Sequence, residues 1–283
     1  MSDYLTGGAR VAGIMGWPIR HSLSPRLHGH WLRRYDIDGA YVPLAVAPDR
    51  LEVALRALPA LGLRGVNLTI PHKEPALALV DGLTDAAARI GAVNTVVVGA
   101  DGRLHGDNTD GYGFLASLRA ARPDWRADAG PAVVLGAGGA ARAIVAVLLD
   151  EGVPELRLLN RTKERAERLA ATLGGPVRVI DWEDRAAALD GAALLVNTSS
   201  LGMHGQAPLE LDLAALPPTA LVTDVVYVPL ETSLLAAARA RGNLVVDGLG
   251  MLLHQARPGF RAWFGVDPEV DDELRRVVLA GLA

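Results

Sequence analysis

Cysteine is absent from this chain of 283 residues, which excludes disulfides and thiolate metal sites. Aromatic residues make up only 5% of it, so its cores have to be built from Leu, Val, Ala and Ile. There is no polybasic block, and the formal net charge is −4. That balance argues against nucleic acid as the main partner, although small anions can still be held by local positive groups. No run of about 18 apolar residues occurs, so no membrane span is expected. The N-terminal stretch MSDYLTGGAR lacks the apolar run of a signal peptide. A soluble, cytoplasmic protein is the default expectation. What remains is ordinary for a globular chain: 50% of residues are hydrophobic and 21% charged. The length suggests about two domains.

Short β-type runs alternate with helical ones along the chain. Strands are expected at Val11–Gly16, Ala40–Ala45 and Gly65–Ile70, with helices at Pro25–Tyr35 and Asp49–Leu61. Asn94–Gly99 and Arg103–Gly106 flank an Asp101-Gly102 turn, which is a hairpin signal. The polar, proline-broken stretch 120–131 reads as a linker, after which the alternation restarts. Strands are expected at Pro131–Leu135, Glu155–Asn160, Val177–Ile180, Ala193–Asn197, Leu221–Val225 and Asn243–Val246, and helices at Ala140–Asp150 and Thr162–Leu173. Gly250–Phe264 and Pro268–Leu282 read as helices with no new sheet to cover. This pattern predicts an α/β fold of two domains built on mostly parallel sheets. The first domain is assigned to 1–111, the second to 112–248, and the helices of 249–283 are expected to return to the first.

The strand ending at Leu135 runs into Gly136-Ala137-Gly138-Gly139-Ala140-Ala141-Arg142 and then a helix. This is a GxGxxA dinucleotide fingerprint, the start of a Rossmann unit. The first glycine makes the tight turn and the second lets backbone N–H groups approach a pyrophosphate. The third small residue lets helix and strand pack closely, and the helix N-terminus faces the phosphates. A site for NAD wants an acidic residue at the tip of the second strand. Here that tip reads Asn160-Arg161-Thr162-Lys163-Glu164-Arg165, with no acid at its start. Arg161 can meet a ribose 2′-phosphate with a planar fork, Thr162 can cap the next helix and donate to the phosphate, and Lys163 or Arg165 adds charge. The cofactor read from these residues is NADP.

Four further segments are too polar for their apolar surroundings. In His21-Ser22-Leu23-Ser24-Pro25, Ser24 and Pro25 read as the N-cap and first residue of a helix, where two hydroxyls could also clamp a small carboxylate. Asn67-Leu68-Thr69-Ile70-Pro71-His72-Lys73-Glu74 is a strand ending in a proline turn with a lysine beyond it, the place where open α/β sheets hold ligands. The others are Gly91-Ala92-Val93-Asn94-Thr95 and Gly106-Asp107-Asn108-Thr109-Asp110-Gly111. The last could be a mere turn and helix cap, and its spacing is not that of an EF-hand. His28 and His30 lie two apart on one helix and do not share a face. His72 and His254 are expected to pack or to support neighbours, and no metal motif appears.

In chain order, SLSP, NLTIPHKE, GAVNT, GDNTDG, GAGGAAR, NRT and DGLGMLLHQ together resemble the shikimate dehydrogenase family, from about Val11 to Pro268. The resemblance implies a two-domain α/β enzyme with its active site between the domains: an N-terminal substrate domain and a C-terminal NADP-binding Rossmann domain. It implies reversible, NADPH-dependent reduction of 3-dehydroshikimate to shikimate, in the route to chorismate and the aromatic amino acids. By the same resemblance Ser22 and Ser24 hold the substrate carboxylate, with Tyr227 nearby, and Thr69, Asn94, Asp110 and Gln255 hold the ring hydroxyls. Lys73 and Asp110 form the catalytic pair, Lys73 as acid in reduction and base in oxidation, and Asp110 as its partner. Gly136, Ala137, Gly138, Gly139 and Ala140 take the pyrophosphate, and Asn160, Arg161, Thr162, Lys163 and Arg165 the ribose phosphate. Val225 and Gly248 line the nicotinamide pocket, with Asp85 near it. Leu68 and Pro75 depart from the family's usual valine and non-proline without changing a polar contact. The implied partner is a small molecule, not nucleic acid or a membrane, and the enzyme is a monomer or a homodimer. A relative with relaxed use of quinate or NAD, and a ligand-binding relative without catalysis, are the competing readings. The missing acid at Asn160-Arg161 and the presence of Lys73 and Asp110 weigh against them.

Overall fold

The computed structural model describes residues 5–282, and these divide into two compact units. One comprises the described residues of Met1–Thr109 and Gln255–Ala283, the other Asp110–His254.

In chain order the first unit contains strand β1 (Arg10–Gly16), helix α1 (Ser24–Arg34), β2 (Gly39–Ala45), α2 (Leu51–Ala57), β3 (Leu63–Leu68), β4 (Gly82–Leu83), α3 (Asp85–Ile90), β5 (Thr95–Val98) and β6 (Leu104–Asp107). Its sheet runs β2-β1-β3-β5-β6-β4. Three pairings are parallel, and β5 runs antiparallel to both its neighbours, to β6 through the Asp101-Gly102 hairpin. The sheet is therefore mixed, parallel on the side of β1. Val66 and Leu68 point into a core with Met15, Leu51, Leu55, Val93 and Val96; strand alternation turns Asn67 to the opposite face. There an aromatic cluster gathers His28, Trp31, Tyr41, Phe260 and Trp263. A side chain at Gly65 would collide with the Val96 carbonyl and the Trp263 indole, and Trp263 Nε1 donates to that carbonyl at 3.1 Å.

The second unit contains α4 (Asp110–Ala121), β7 (Ala132–Leu135), α5 (Gly139–Asp150), β8 (Leu156–Leu159), α6 (Lys163–Leu173), β9 (Val177–Ile180), β10 (Leu194–Asn197), β11 (Leu221–Asp224), α7 (Ser233–Ala240) and β12 (Leu244–Val246). Helix α8 (Gly248–Phe264) begins in this unit and ends in the first, which also holds α9 (Asp272–Leu279). The sheet order is β12-β11-β10-β7-β8-β9, parallel throughout, the order of a doubly wound dinucleotide-binding fold. Its central strands β7 and β10 are buried at every position, as expected of a parallel sheet covered on both faces, whereas edge strand β9 exposes Arg178.

Several expectations need correction. Ser24 is not the N-cap of α1. Leu23 holds that place, and Ser24 and Pro25 are the first two helical residues; the turn closes one residue early because Leu27 N–H already reaches the Leu23 carbonyl at 3.1 Å. The helix expected over Asp49–Leu61 is α-helical only at Leu51–Ala57, since Leu58 and Gly62 close 3₁₀-type turns onto Leu55 and Pro59. The final helix spans Asp272–Leu279 rather than Pro268–Leu282, capped by Asp271, whose side chain accepts from Leu274 N–H. Helices α4 and α7 are among the unanticipated elements. The first opens inside the polar GDNTDG run, and the second is capped by Thr232.

Candidate functional site

In the first sheet the strand order reverses at β1, whose neighbours are β2 on one side and β3 on the other. Ligands of open α/β sheets bind beyond the carboxyl ends of strands at such a reversal. The segments that leave β1 and β3 there carry Ser22, Ser24, Thr69 and Lys73. Ser24 is 5% exposed, and its backbone N–H donates to Ser22 Oγ at 3.3 Å. The two hydroxyl residues are thus tied into one turn. Thr69 continues β3 by donating its N–H to the Met15 carbonyl at 3.0 Å, and its own carbonyl accepts from His72 N–H at 2.8 Å. Buried His72 locks this loop through Nε2 and the Val46 carbonyl, 2.8 Å apart. The Lys73 carbonyl accepts from Val93 N–H at 2.8 Å, which joins the lysine's backbone to the GAVNT segment. Lys73 itself is half-buried. Pro75 opens a short 3₁₀ turn rather than an α-helix.

Asn94 lies at the centre of a buried polar network in the same unit. Its Oδ1 accepts from Thr95 Oγ1 at 2.9 Å and from Thr109 N–H at 2.9 Å. Its Nδ2 donates to Thr109 Oγ1 at 3.1 Å and faces Gln255 Oε1 at 3.5 Å. Thr109 in turn donates its hydroxyl to the Gln255 carbonyl at 2.8 Å. Asn67 Nδ2 donates to the Asn94 carbonyl and to Thr95 Oγ1, at 3.1 and 3.0 Å, while Asn67 Oδ1 accepts from the Tyr41 hydroxyl at 2.6 Å. The structure therefore brings Asn94 and Gln255 together. It also adds Tyr41, Asn67, Thr95 and Thr109, which the sequence reading did not single out. The last three stood inside the quoted motifs; a polar residue within an otherwise apolar strand was the available signal. Asn108, also buried, donates from Nδ2 to the Ala92 carbonyl at 2.9 Å and braces the same turn.

Asp85 is exposed in the first turn of α3, in the first unit, whereas Val225 and Gly248 belong to the second. Asp110 is the first residue of α4, 6% exposed, and Tyr227 follows β11; both lie in the second unit. Burial pushes the Tyr227 phenol above its ordinary range. The loop carrying Tyr227 is anchored by Asp224, which accepts from Asn197 Nδ2 at 3.0 Å, Val226 N–H at 3.0 Å and the Thr232 hydroxyl at 2.8 Å. Burial raises this carboxyl, and the three donors oppose the rise.

The second sheet reverses between β7 and β10, and the glycine turn lies at that point. Gly136 has φ +113°, and a side chain there would sit 2.5 Å from Thr198 Oγ1. Gly138 is the N-cap of α5 in extended conformation, and Gly139 is its first residue. A Cβ at either would meet nothing within 4 Å, so their lack of side chains is not needed for packing. It leaves a bare backbone cradle in front of helix N–H groups that have no intrahelical acceptor, which fits a pyrophosphate. Val225 and Gly248 are brought together: a Cβ on Gly248 would strike the Val225 carbonyl.

At the tip of β8, Asn160 Nδ2 donates to the Thr162 carbonyl at 2.8 Å, and Thr162 occupies the N-cap of α6 without a side-chain capping bond. Lys163 is paired with Asp181 at 2.7 Å, and that carboxylate raises its pKa. Among the described residues Arg161 and Arg165 have no carboxylate partner within ion-pair distance, and both are exposed. Two arginines at the start of a helix, left unneutralised, fit a 2′-phosphate. Among the described residues no group of three His, Asp or Glu is placed to hold a metal ion, and no helix is long and apolar enough to cross a membrane.

Residues 14–96 match the family model of the shikimate dehydrogenase substrate binding domain, residues 123–202 that of shikimate / quinate 5-dehydrogenase, and residues 248–272 that of the shikimate 5′-dehydrogenase C-terminal domain. The chain is 67% identical over 279 residues to a shikimate dehydrogenase (NADP(+)) of Rhodospirillum rubrum, covering 97% of this chain and 99% of that one. The fold is similar to the crystal structure of shikimate 5-dehydrogenase from Thermus thermophilus in complex with NADP(H) and shikimate, with a TM-score of 0.85 and 37% identity over 96% of this chain and 99% of that one. It is also similar to quinate dehydrogenase from Corynebacterium glutamicum in complex with NAD, with a TM-score of 0.89 and 31% identity over 96% and 99%. With a substrate-domain match, a dinucleotide-domain match and two-thirds identity along almost the whole length, the chain belongs to the shikimate dehydrogenase family.

Proposed function

We propose that the protein is an NADP-dependent shikimate dehydrogenase, an oxidoreductase acting on a CH–OH group, which interconverts 3-dehydroshikimate and shikimate on the way to the aromatic amino acids. It would act in the cytoplasm, as a monomer or homodimer, on a small molecule rather than on nucleic acid or a membrane. The observation that carries the cofactor half of this reading is the open backbone at Gly138 and Gly139, followed by Arg161 and Arg165 without acidic partners. Family membership and the buried donor network around Asn94 support the substrate half.

When bound, NADPH supplies the hydride. Gly136, Ala137, Gly138, Gly139 and Ala140 hold the pyrophosphate. Asn160, Arg161, Thr162 and Arg165 hold the ribose phosphate, with Lys163 adding charge through its pair with Asp181. Val225 and Gly248, joined by the close approach of their backbones, shape the nicotinamide end, with Asp85 near it. The Ser22 and Ser24 hydroxyls, with Tyr227, bind the substrate carboxylate, and Thr69, Asn94, Asp110 and Gln255 bind the ring hydroxyls. Lys73 gives a proton to the oxygen that becomes an alkoxide in reduction and takes it back in oxidation, and Asp110 orients that oxygen and balances the charge.

The direct test is oxidation of shikimate by NADP⁺, with NAD⁺ and quinate as controls. Turnover of quinate with NAD⁺ at the same efficiency would overturn the assignment. Lys73→Ala is expected to lower kcat by about 10²–10⁴-fold, the range of a general acid; near-normal kcat would remove Lys73 from the chemistry. Arg161→Ala is expected to raise the KM for NADP⁺ about tenfold or more, as the loss of a charge-assisted hydrogen bond requires, and to leave any use of NAD⁺ unchanged.

A further inference from the structure

Strands β10 and β11 each end on a buried polar residue. Asn197 and Asp224 close the two strands at paired positions of the register, and they are 0% and 1% exposed. Both stand at the carboxyl ends of the parallel sheet, where the loops that leave the strands face a dinucleotide. Asn197 Oδ1 accepts from the Ser199 N–H at 3.1 Å and from the Ser199 hydroxyl at 2.7 Å. Its Nδ2 donates to the Leu201 carbonyl at 3.1 Å and to Asp224 Oδ1 at 3.0 Å. A backbone N–H only donates and a carbonyl only accepts, so this amide has one orientation. Asp224 Oδ1 also accepts from Val226 N–H at 3.0 Å, and Oδ2 accepts from the Thr232 hydroxyl at 2.8 Å. Thr232 takes the Leu235 N–H as the N-cap of α7, which leaves its own proton for Asp224.

The carboxyl group thereby joins three segments of the second unit. The loop after β10 packs on the glycine turn: Thr198 N–H and the Thr198 hydroxyl both donate to the Leu135 carbonyl at 2.8 Å, and Thr198 takes the room a side chain on Gly136 would need. The loop after β11 begins with Val225, whose carbonyl leaves no room for a side chain on Gly248. His204 N–H reaches from the first loop to the Val228 carbonyl of the second at 2.8 Å. Helix α7, capped by Thr232, closes the second loop. Asp224 is bonded to all three segments, through Asn197, Val226 and Thr232. Each of the partners Asn197, Val226 and Thr232 is itself buried, so water does not compete for these bonds.

We propose that Asp224 is a positioning residue for hydride transfer: by tying the loop after β11 to the loop on the glycine turn and to the start of α7, it holds Val225 where the nicotinamide is seated. The inference rests on the assignment of Val225 and Gly248 to the nicotinamide pocket. Asp224 acts through the loop, since its own oxygens are enclosed and bonded within the protein. It sets how the ring is presented, not how tightly the phosphates are held. The phosphates meet Gly138, Gly139 and Arg161, so the two properties separate.

The test uses the full-length enzyme and reads the single-turnover rate of hydride transfer from shikimate to NADP⁺ alongside the KM for NADP⁺. Asp224→Ala is expected to slow the transfer about ten- to hundredfold, the range for reacting groups misplaced by about 1 Å, with KM within about threefold of the parent's. Asp224→Asn keeps both bonds at Oδ1 and can donate to Thr232 in place of accepting from it. It is therefore expected to transfer hydride within about threefold of the parent. Thr232→Val, which keeps the shape and removes one bond, is expected to slow the transfer about fivefold or more, and it decides the matter if Asp224→Ala does not fold. Asn243→Ala is the structural control. Asn243 Nδ2 donates to the carbonyls of Pro217, Pro218 and Ala220 at 2.9, 3.2 and 3.0 Å, at the opposite ends of the same strands. Its loss is expected to lower the melting temperature and leave the transfer rate at the parent's value. The proposal is wrong if a folded Asp224→Ala or Thr232→Val transfers hydride as the parent does, if Asp224→Asn is as slow as Asp224→Ala, or if Asn243→Ala is slowed as much. Val225→Phe separates this failure from that of the underlying assignment. If Val225→Phe transfers hydride as the parent does, Val225 does not line the nicotinamide pocket; if it is slower while Asp224→Ala and Thr232→Val match the parent, only the positioning role falls.

Discussion

His28 is fully buried among Trp31, Tyr41, Phe260 and Trp263, and among the described residues neither ring nitrogen has a hydrogen-bond partner. Burial lowers its pKa from 6.5 to about 3, so the folded protein keeps this imidazole neutral where the unfolded chain would charge it. The folded value lies below the unfolded one. The stability that neutral His28 contributes is therefore complete above about pH 6.5 and is lost as the pH falls toward 3. The slope is about 1.4 kcal/mol per pH unit for one proton, or about 2 kcal/mol between pH 7 and pH 5. Urea unfolding at those two values should show this loss in the parent, and His28→Phe should remove it, since a phenyl ring keeps the stack on Tyr41 and has no proton to gain. An equal loss in the variant would place the acid sensitivity elsewhere. None of this was legible in the sequence. A histidine at a helical position reads the same whether it faces water or an aromatic cluster, and the cluster draws Phe260 and Trp263 from the far end of the chain.

At the scale of the element, the turn between β7 and α5 separates two uses of glycine. Gly136 is required by the fold: its φ is positive and Thr198 leaves no room for a side chain. Gly138 has an ordinary φ of −95° and open space in front of it. Gly136→Ala is expected to cost at least about 2 kcal/mol of stability, from backbone strain and the clash. Gly138→Ala is expected to leave the melting temperature within about 2 °C, as a small surface change would, and yet to raise the KM for NADP⁺ tenfold or more. Thermal melts and cofactor titrations of the two variants check this directly, and equal destabilisation by both would contradict it. This element was legible because glycine spacing encodes a local backbone path. The start of α1 was legible only to within one residue, because Leu23 can hold the cap position while Ser24 enters the helix. Helix α4 was hidden because Asp, Asn, Thr and Gly signal a turn as readily as a helix entry. The polar network around Asn94 was half legible: the motif segments could be picked out, but which of their side chains meet depends on the pairing of β3 with β5 and on Gln255.

At the scale of the whole molecule, the first unit is discontinuous in sequence. Its sheet is complete by Asp107, but Phe260 and Trp263, which fill its aromatic face, arrive only in α8. Trp263→Ala removes a side chain that is 2% exposed together with its hydrogen bond to the Val96 carbonyl. It is expected to destabilise the protein by about 3–5 kcal/mol. Hydrogen exchange should speed up at the amides of β1 and β3 while those of β7 and β8 hold their protection; uniform loss in both sheets would argue against a separate core for each unit. The α/β class and both sheets followed from the alternation of strand and helix patterns. What periodicity could not give was the antiparallel pairing of β3 with β5; that of β5 with β6 is signalled by the Asp101-Gly102 hairpin.

That discontinuity also sets an order of events during synthesis. The second unit is one unbroken stretch, Asp110–His254, and can finish its core as soon as it clears the ribosome. The first unit cannot, although it is made first. At ordinary rates of about 5–20 residues per second, its strands wait on the order of ten seconds or more for the residues after Gln255, with the face that Trp263 covers open meanwhile. The N-terminal strands of this protein are thus the first made and the last completed, and for that interval they are the part of the nascent chain most in need of a chaperone.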